Sequence, residues 1–210
     1  SASADVGVER FINISTDKAA DPINVLGTTK RAAERITAHF DDAASGRYLS
    51  VRFGNVLGSN GSVIPTFVEQ IKAGNPITVT DPDATRYFMT TEEAVLLVLQ
   101  ASSLGHGGDV LVLDMGEPIP IVELARRLAA EITPGRAPEF EYTGLRPGEK
   151  LHETLVSADD AEEGRPHELL LRFRVPSITP DAADPLLDVE GPAELIEAMA
   201  RLVASVRADD

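Results

Sequence analysis

The sequence predicts an α/β fold built on a parallel sheet, on three observations. Apolar runs of strand length alternate along the chain with longer segments whose apolar residues recur at helical spacing. Residues that delay or end helices, such as Pro22 and Gly74, fall between those segments. An apolar content of 43% in 210 residues is enough to bury one core, or the cores of two small interleaved lobes.

The elements follow in order. Arg10 to Ser15 (RFINIS) predicts a short buried strand, followed by the polar turn Thr16-Asp17-Lys18 and by Pro22. From Val25 to Phe40 the period is helical, with Leu26, Ala33, Ile36 and Phe40 available for packing and with Leu26 and Lys30 one turn apart on one face. Tyr48 to Val56 predicts a second strand running into a glycine-rich loop, Gly54 to Ser62. A helix from Val63 to Ala73 comes next, closed by Gly74. Beyond it lie a strand at Ile77 to Val79, a helix from Thr91 to Ser103 with Glu92 and Glu93 in its first turn, a strand at Val110 to Met115 and a helix from Ile121 to Ile132. Arg146 to Lys150 reads as a loop, Asp181 to Pro192 as irregular acidic surface chain, and Ala193 to Val206 as a final amphipathic helix.

Composition narrows the function classes. A net charge of -15 disfavours nucleic acid and anionic membrane as partners, since both require a basic face. Cysteine is absent and the four histidines, His39, His106, His152 and His167, lack ligand spacing, so no structural metal is expected. No apolar stretch reaches the ~20 residues that cross a bilayer, and no signal-peptide pattern opens the sequence, so a soluble segment is expected. In so acidic a chain a phosphate ester would have to be held by single placed cations. Lysine is scarce, and three of the four lysines (Lys18, Lys30 and Lys150) fall in the segments singled out here.

In open α/β sheets the ligand lies beyond the carboxyl ends of the strands, so Thr16-Asp17-Lys18 and Gly54 to Ser62 are expected to share one crevice. There a hydroxyl, a carboxyl and an amine on consecutive residues can surround a bound sugar. The same three residues also suit an ordinary polar turn, and Lys30 by itself suits a solvated helix.

Four ordered motifs narrow that choice. They are Ile14-Ser15-Thr16-Asp17-Lys18-Ala19-Ala20-Asp21-Pro22-Ile23-Asn24-Val25-Leu26-Gly27-Thr28-Thr29-Lys30-Arg31, the run from Val51 to Pro65 (VRFGNVLGSNGSVIP), Asp81-Pro82 with Thr85 to Thr90 (TRYFMT), and Leu145-Arg146-Pro147-Gly148-Glu149-Lys150-Leu151. Together they resemble the polysaccharide-biosynthesis dehydratases that act on UDP-N-acetylglucosamine, within the extended short-chain dehydrogenase/reductase superfamily. The resemblance implies NAD(P)-dependent loss of water within one sugar: hydride leaves C4, the ketone acidifies the C5 proton, water leaves from C6, and hydride returns to C6. It makes Asp17 the general acid, Lys18 the base at C5 and Thr16 the holder of the C4 oxygen, and the side-chain chemistry agrees with those roles. Lys30, counted with the catalytic residues, would contact the nicotinamide ribose and supply part of the positive field that makes Lys18 a base, and Ser15 and Val56 would also contact the cofactor. Asn55, Arg86 and Arg146 would hold the UDP pyrophosphate, with Ser62 and Glu149 beside them; arginine gives bidentate contacts to phosphate oxygens. Arg86 and Arg146 also suit surface ion pairs, and Lys150 can pair with Glu149 or Glu153.

One slot departs from the superfamily. Four residues before Lys30, where the superfamily carries a tyrosine base, stands Leu26, which cannot exchange a proton. Asp17, Lys18 or a water held by Thr16 remain as candidates for the C4 base. Long membrane-attached dehydratases have an apolar methionine there, which tilts the parent protein towards that branch, with this segment on the cytoplasmic side and a homo-oligomer expected by analogy.

No G-x-G-x-x-G follows a strand, so the turn that seats a dinucleotide pyrophosphate is not found in these 210 residues. The expectation is a partial Rossmann-like parallel sheet whose first βαβ units are missing, over residues 1–60, and a smaller α/β substrate-binding lobe over 61–210, interleaved so that about 91–117 returns to the sheet. Either the chain is truncated or a second chain supplies those units, and by itself it is expected to be inactive. Two other function classes stay open: nucleotide-sugar epimerase or reductase chemistry, and non-catalytic binding of a UDP-sugar.

Overall fold

A computed structural model describes residues 2–59 and 62–204. In chain order the first elements are α1 (Ala2–Asp5), β1 (Arg10–Ile14), α2 (Val25–Ala43), β2 (Arg47–Arg52), β3 (Asn55–Val56), α3 (Val63–Ala73), β4 (Ile77–Val79), β5 (Thr85–Arg86) and β6 (Phe88–Met89). They are followed by α4 (Thr91–Leu104), β7 (Asp109–Leu113), β8 (Ile119–Pro120), α5 (Ile121–Ile132), β9 (Phe140–Tyr142), β10 (Ala161–His167), β11 (Leu170–Arg174) and α6 (Pro192–Ala204). The chain divides into two compact units: Ser1–Phe53 with Leu96–Asp114 and Thr154–Asp210, and Gly54–Val95 with Met115–Glu153. The first unit thus takes up the chain beyond Thr154, where the sequence reading continued the smaller lobe.

The first unit is built on a five-stranded sheet of order β1-β2-β7-β11-β10. β1, β2 and β7 run parallel, with Ile14 opposite Val51 and Arg52 opposite Val112. β2 and β7 are buried on both faces, as central strands of a parallel sheet must be. Successive residues alternate between two cores: Leu49, Val51 and Leu111 pack with Ala101, while Val110, Val112, Phe173 and Val175 pack with Ala38. Each such side chain contributes about 1.5–3 kcal/mol on burial. The sheet then continues through an antiparallel hairpin, β10 and β11, which the sequence reading left unassigned. β10 carries Glu162, Glu163, Gly164, Arg165 and Pro166, has two register shifts, and shows none of the alternation that marks a half-buried strand.

α2 starts where Asn24, in extended conformation, accepts a hydrogen bond from Gly27 N (2.8 Å). It packs against α6, whose last turn is tied by a bond from the buried Arg35 guanidinium to Val203 O. The stretch assigned as irregular from Asp181 is instead a 3-10 segment, Pro180–Asp188, which accommodates Pro185, and α6 begins at Pro192. Residues 205 and 206, where the sequence reading ends that helix, lie outside the described residues, as do Asn60 and Gly61 of the glycine-rich loop.

The second unit packs α3 and α5 around Phe67, Ile71, Ile77, Val79, Ala125 and Ala129. Both helices keep the bounds the sequence predicts. Gly74 takes the left-handed conformation (φ 71°) and donates to Gln70 O and Ile71 O, ending α3 in the way only glycine does cheaply. Three two-stranded sheets complete the unit: β3 with β6 and β4 with β9 in parallel, and β5 with β8 antiparallel. The strand predicted over Tyr48 to Val56 is therefore two strands, broken after Arg52. Gly54 follows the break because a Cβ there would stand 2.9 Å from Tyr87 Cβ and Tyr87 O. Among the described residues no helix is long and apolar enough to cross a membrane.

Candidate active site

The turn at the carboxyl end of β1 is held from both sides by backbone. Ser15 N donates to Val51 O (2.8 Å) and Asp17 N to Phe53 O (3.0 Å), so the turn continues the β1–β2 pairing past the strand end. Asp17, Lys18 and Ala19 then form one 3-10 turn, with Thr16 extended as its N-cap. Thr16 Oγ1 donates to Asp17 Oδ1 (2.9 Å), and Lys18 Nζ donates to the same oxygen (2.9 Å). Asp17 is fully buried, and its second oxygen, Oδ2, has no hydrogen-bond partner among the described residues. Lys18 keeps a quarter of its side chain exposed. The result is an acid and an amine in contact, with a hydroxyl on the acid.

α2 presents the next group. Lys30 Nζ donates to Ile14 O (2.9 Å) at the end of β1, and Ser15, one residue on, is buried with its Oγ unpaired among the described residues. Leu26, one turn before Lys30, is 52% exposed and not part of a core. α2 comes this close because residue 27 is glycine. A Cβ there would lie 2.3 Å from Lys18 O and 3.1 Å from Pro22 Cβ. Glycine to alanine inside a helix ordinarily stabilises by up to about 1 kcal/mol, but overpacking of this kind costs about 1–3 kcal/mol. Gly27→Ala is therefore expected to lower the unfolding midpoint, read by thermal denaturation; a raised midpoint would mean that α2 and the turn are not in contact.

The remaining predicted residues belong to the second unit. Arg86 is held on three sides, donating to Thr85 O (2.7 Å), Leu151 O (3.0 Å) and Glu149 Oε1 (2.9 Å). Glu149 also accepts from Thr80 Oγ1 (3.0 Å) and from Arg146 N (3.2 Å), which folds the Arg146 to Lys150 loop around one carboxylate. Arg146 is exposed. Asn55 Nδ2 donates to Tyr87 O (3.3 Å), tying its own strand pair. Val56 is paired with Met89 in β3 and β6. Ser62 precedes α3 without making a side-chain cap bond, and its Oγ is buried and unpaired among the described residues. Lys150 lies 3.9 Å from Glu153.

Four charged side chains meet in the interior of the first unit. Arg52 on β2 donates Nε and Nη2 to the two oxygens of Glu34 on α2 (3.0 and 2.7 Å) and Nη1 to Asp160 Oδ2 (2.7 Å). Arg31 donates to Asp160 Oδ1 (2.6 Å) and approaches Glu34 (3.4 Å). None of the four side chains is more than 2% exposed. Burial opposes the charge on Arg52, but Glu34 and Asp160 outweigh it and raise its pKa above the ordinary value. For Asp160, burial raises the pKa, while Arg52, Arg31 and the Ser157 N–H together carry it below the usual carboxylate range. A depressed folded value gives stability that is fully present above the unfolded pKa of 3.8 and is lost as pH falls below it. Acid unfolding of Asp160→Asn is accordingly expected to show a shallower dependence on pH below 3.8 than wild type; an unchanged slope would place the acid sensitivity elsewhere.

The family model described as "Polysaccharide biosynthesis protein" matches residues 1–174. The chain belongs to the polysaccharide biosynthesis protein family. Among curated members and relatives, it is 49% identical over 172 residues to the capsular polysaccharide biosynthesis protein CapD of Staphylococcus aureus, covering 80% of this chain and 28% of that protein. It is 36% identical over 179 residues to the UDP-glucose 4-epimerase of Rickettsia massiliae, covering 84% of this chain and 51% of that protein. Among solved structures, Pen from Bacillus thuringiensis superposes with a TM-score of 0.74 at 32% identity, covering 85% of this chain and 57% of that one. The chain thus spans between a quarter and about half of the length of these relatives, and its sheet is the partial Rossmann-like block that the sequence predicts.

In this family member the contiguous turn was legible, but the charge cluster was not. Arg52 and Asp160 are separated by 108 positions, and an arginine at the end of a strand gives no local sign of which carboxylates it will meet.

Proposed function

We propose that the full-length protein converts a UDP-N-acetylhexosamine into its 4-keto-6-deoxy derivative, an NAD(P)-dependent 4,6-dehydration in the making of a polysaccharide precursor. The observation that carries this reading is the contact between Asp17 and Lys18 at the end of β1. Elimination across C5 and C6 needs one group to take a proton and another to give one, and this pair can hold a single proton in either place. With the proton on Asp17 and Lys18 neutral, Lys18 takes the C5 proton while Asp17 protonates the departing C6 hydroxyl, and the pair ends as carboxylate and ammonium. Lys18 then returns to C5 the proton it took, and the proton that Asp17 carries into the elimination is the one that leaves the C4 hydroxyl in the preceding oxidation. Thr16, bonded to Asp17 at 2.9 Å, stands on that route and orients the C4 oxygen. Leu26 takes no part in proton transfer.

The residues at the end of β1 fit the ribose edge of a nicotinamide dinucleotide. Ser15 Oγ is a buried hydroxyl in need of a partner, and Lys30 is an amine held beside it by Ile14 O. The dinucleotide would supply hydride acceptance at C4 and hydride return to C6. For the UDP group, Arg146 offers an exposed guanidinium, Arg86 one pre-set by Glu149, and Asn55 and Ser62 offer neutral donors.

A second reading has support in the 36% identity to a UDP-glucose 4-epimerase. An epimerase would leave the Asp17–Lys18 pair with no elimination to perform. Incubation of the full-length protein with UDP-N-acetylglucosamine and NAD or NADP separates the two: a product lighter by one water supports dehydration, and a product of unchanged mass with an inverted C4 supports epimerisation.

A further inference from the structure

Asp21 is, among the described residues, the one non-glycine with a positive φ, at 46°. Asparagine and aspartate tolerate that region best, and a residue stays there only where its surroundings hold it. Here the holder comes from far along the chain: Ser157 Oγ donates to Asp21 Oδ1 at 2.8 Å. Ser157 is buried, and its own position is fixed in turn, because Ser157 N donates to Asp160 Oδ2 (2.8 Å) and Asp160 N to Ser157 O (3.1 Å). Asp160 is clamped by Arg31 and Arg52, and Arg52 Nη1 also binds Leu155 O (2.9 Å). Arg52 is followed by Phe53, whose carbonyl receives Asp17 N. The contacts therefore form a closed ring, from the turn at 17–21 through Ser157, Asp160, Arg52 and Phe53 back to Asp17.

We infer that Ser157 and Asp160 are positioning residues for the turn that carries Asp17 and Lys18, fixing it against β2 through Arg52 and against α2 through Arg31. Their catalytic consequence rests on the dehydratase reading above; their structural consequence does not. A ring of this kind leaves the turn few ways to shift, and displacements of about 1 Å at reacting groups cost up to ~10²-fold in rate.

The test is Ser157→Ala in the full-length protein, with Asp21→Asn as the conservative partner, since asparagine keeps an acceptor oxygen and tolerates the left-handed backbone. Amide hydrogen exchange at 17–20 is expected to quicken by at least ~10-fold in Ser157→Ala, with protection in β2 and β7 unchanged. Turnover of UDP-N-acetylglucosamine is expected to fall ~10- to 100-fold in kcat with KM within about 3-fold of wild type. Asp21→Asn is expected to stay within about 3-fold of wild type on both measures. Unchanged exchange at 17–20 in Ser157→Ala overturns the inference, as does a loss of protection spread evenly over β2 and β7. Should the wild type form no dehydrated product, the exchange result alone decides the positioning role, and the dehydratase reading fails separately.

Discussion

Asp17→Asn is expected to reduce formation of the 4-keto-6-deoxy product by at least ~10²-fold, and by up to ~10⁴-fold. The substitution is nearly isosteric and keeps an oxygen for Thr16 and Lys18, so the contacts at 2.9 Å can persist and folding should be spared. On the dehydratase reading it removes the proton donor beside the amine, and with it the group assigned to turn hydroxide into water as it leaves C6. Because that proton is needed only as the bond breaks, kcat and kcat/KM should fall together while UDP-sugar binding is retained. A turnover near wild type, with binding intact, would remove Asp17 from the chemistry and favour the epimerase reading. Lys18 would then be left without a role in elimination.

The second large effect concerns stability. Arg52→Met deletes the cation that satisfies both Glu34 oxygens and one oxygen of Asp160, leaving two buried carboxylates against Arg31 alone. Breaking a buried ion pair costs about 3–5 kcal/mol, because the remaining charge has neither water nor partner. For a domain of this size that corresponds to a midpoint lower by on the order of 10 °C. The intact cluster is not for that reason a large source of stability, since the desolvation of four charges offsets most of their attraction. Its yield is geometric: it fixes α2, β2 and the Ser157–Asp160 turn in one arrangement. Thermal or urea unfolding of Arg52→Met measures the loss, and a change below about 1 kcal/mol would mean that water reaches the cluster.

How much could be read in advance depended on sequence distance. α3 and α5 were legible to the residue, because an apolar period of 3.6 ran up to Gly74 in one and began after Pro120 in the other. β2 and β7 were legible as apolar runs and β1 as a strand, although β1 is partly exposed along its length rather than buried as expected, since it borders the sheet. The break after Arg52 was not legible, because a glycine permits a close passage without announcing what it passes. β10 was invisible, since an exposed strand with Glu162, Glu163 and Pro166 has the composition of a loop. Of the candidate site, the Thr16–Lys18 turn could be read because its three functional groups are consecutive. The tie from Ser157 to Asp21 spans 136 positions, and no local pattern encodes it.

The two borders of the five-stranded sheet are unlike. β10 is doubly kinked out of register and carries acidic side chains, which deter another backbone from aligning with it. β1 is regular, pairs only with β2 among the described residues, and shows Phe11 and Ile14 partly uncovered. The sheet therefore has a preferred direction of extension: the regular border at β1 suits a further parallel strand better than β10 does, and that border is the one on which the Thr16-Asp17-Lys18 turn begins.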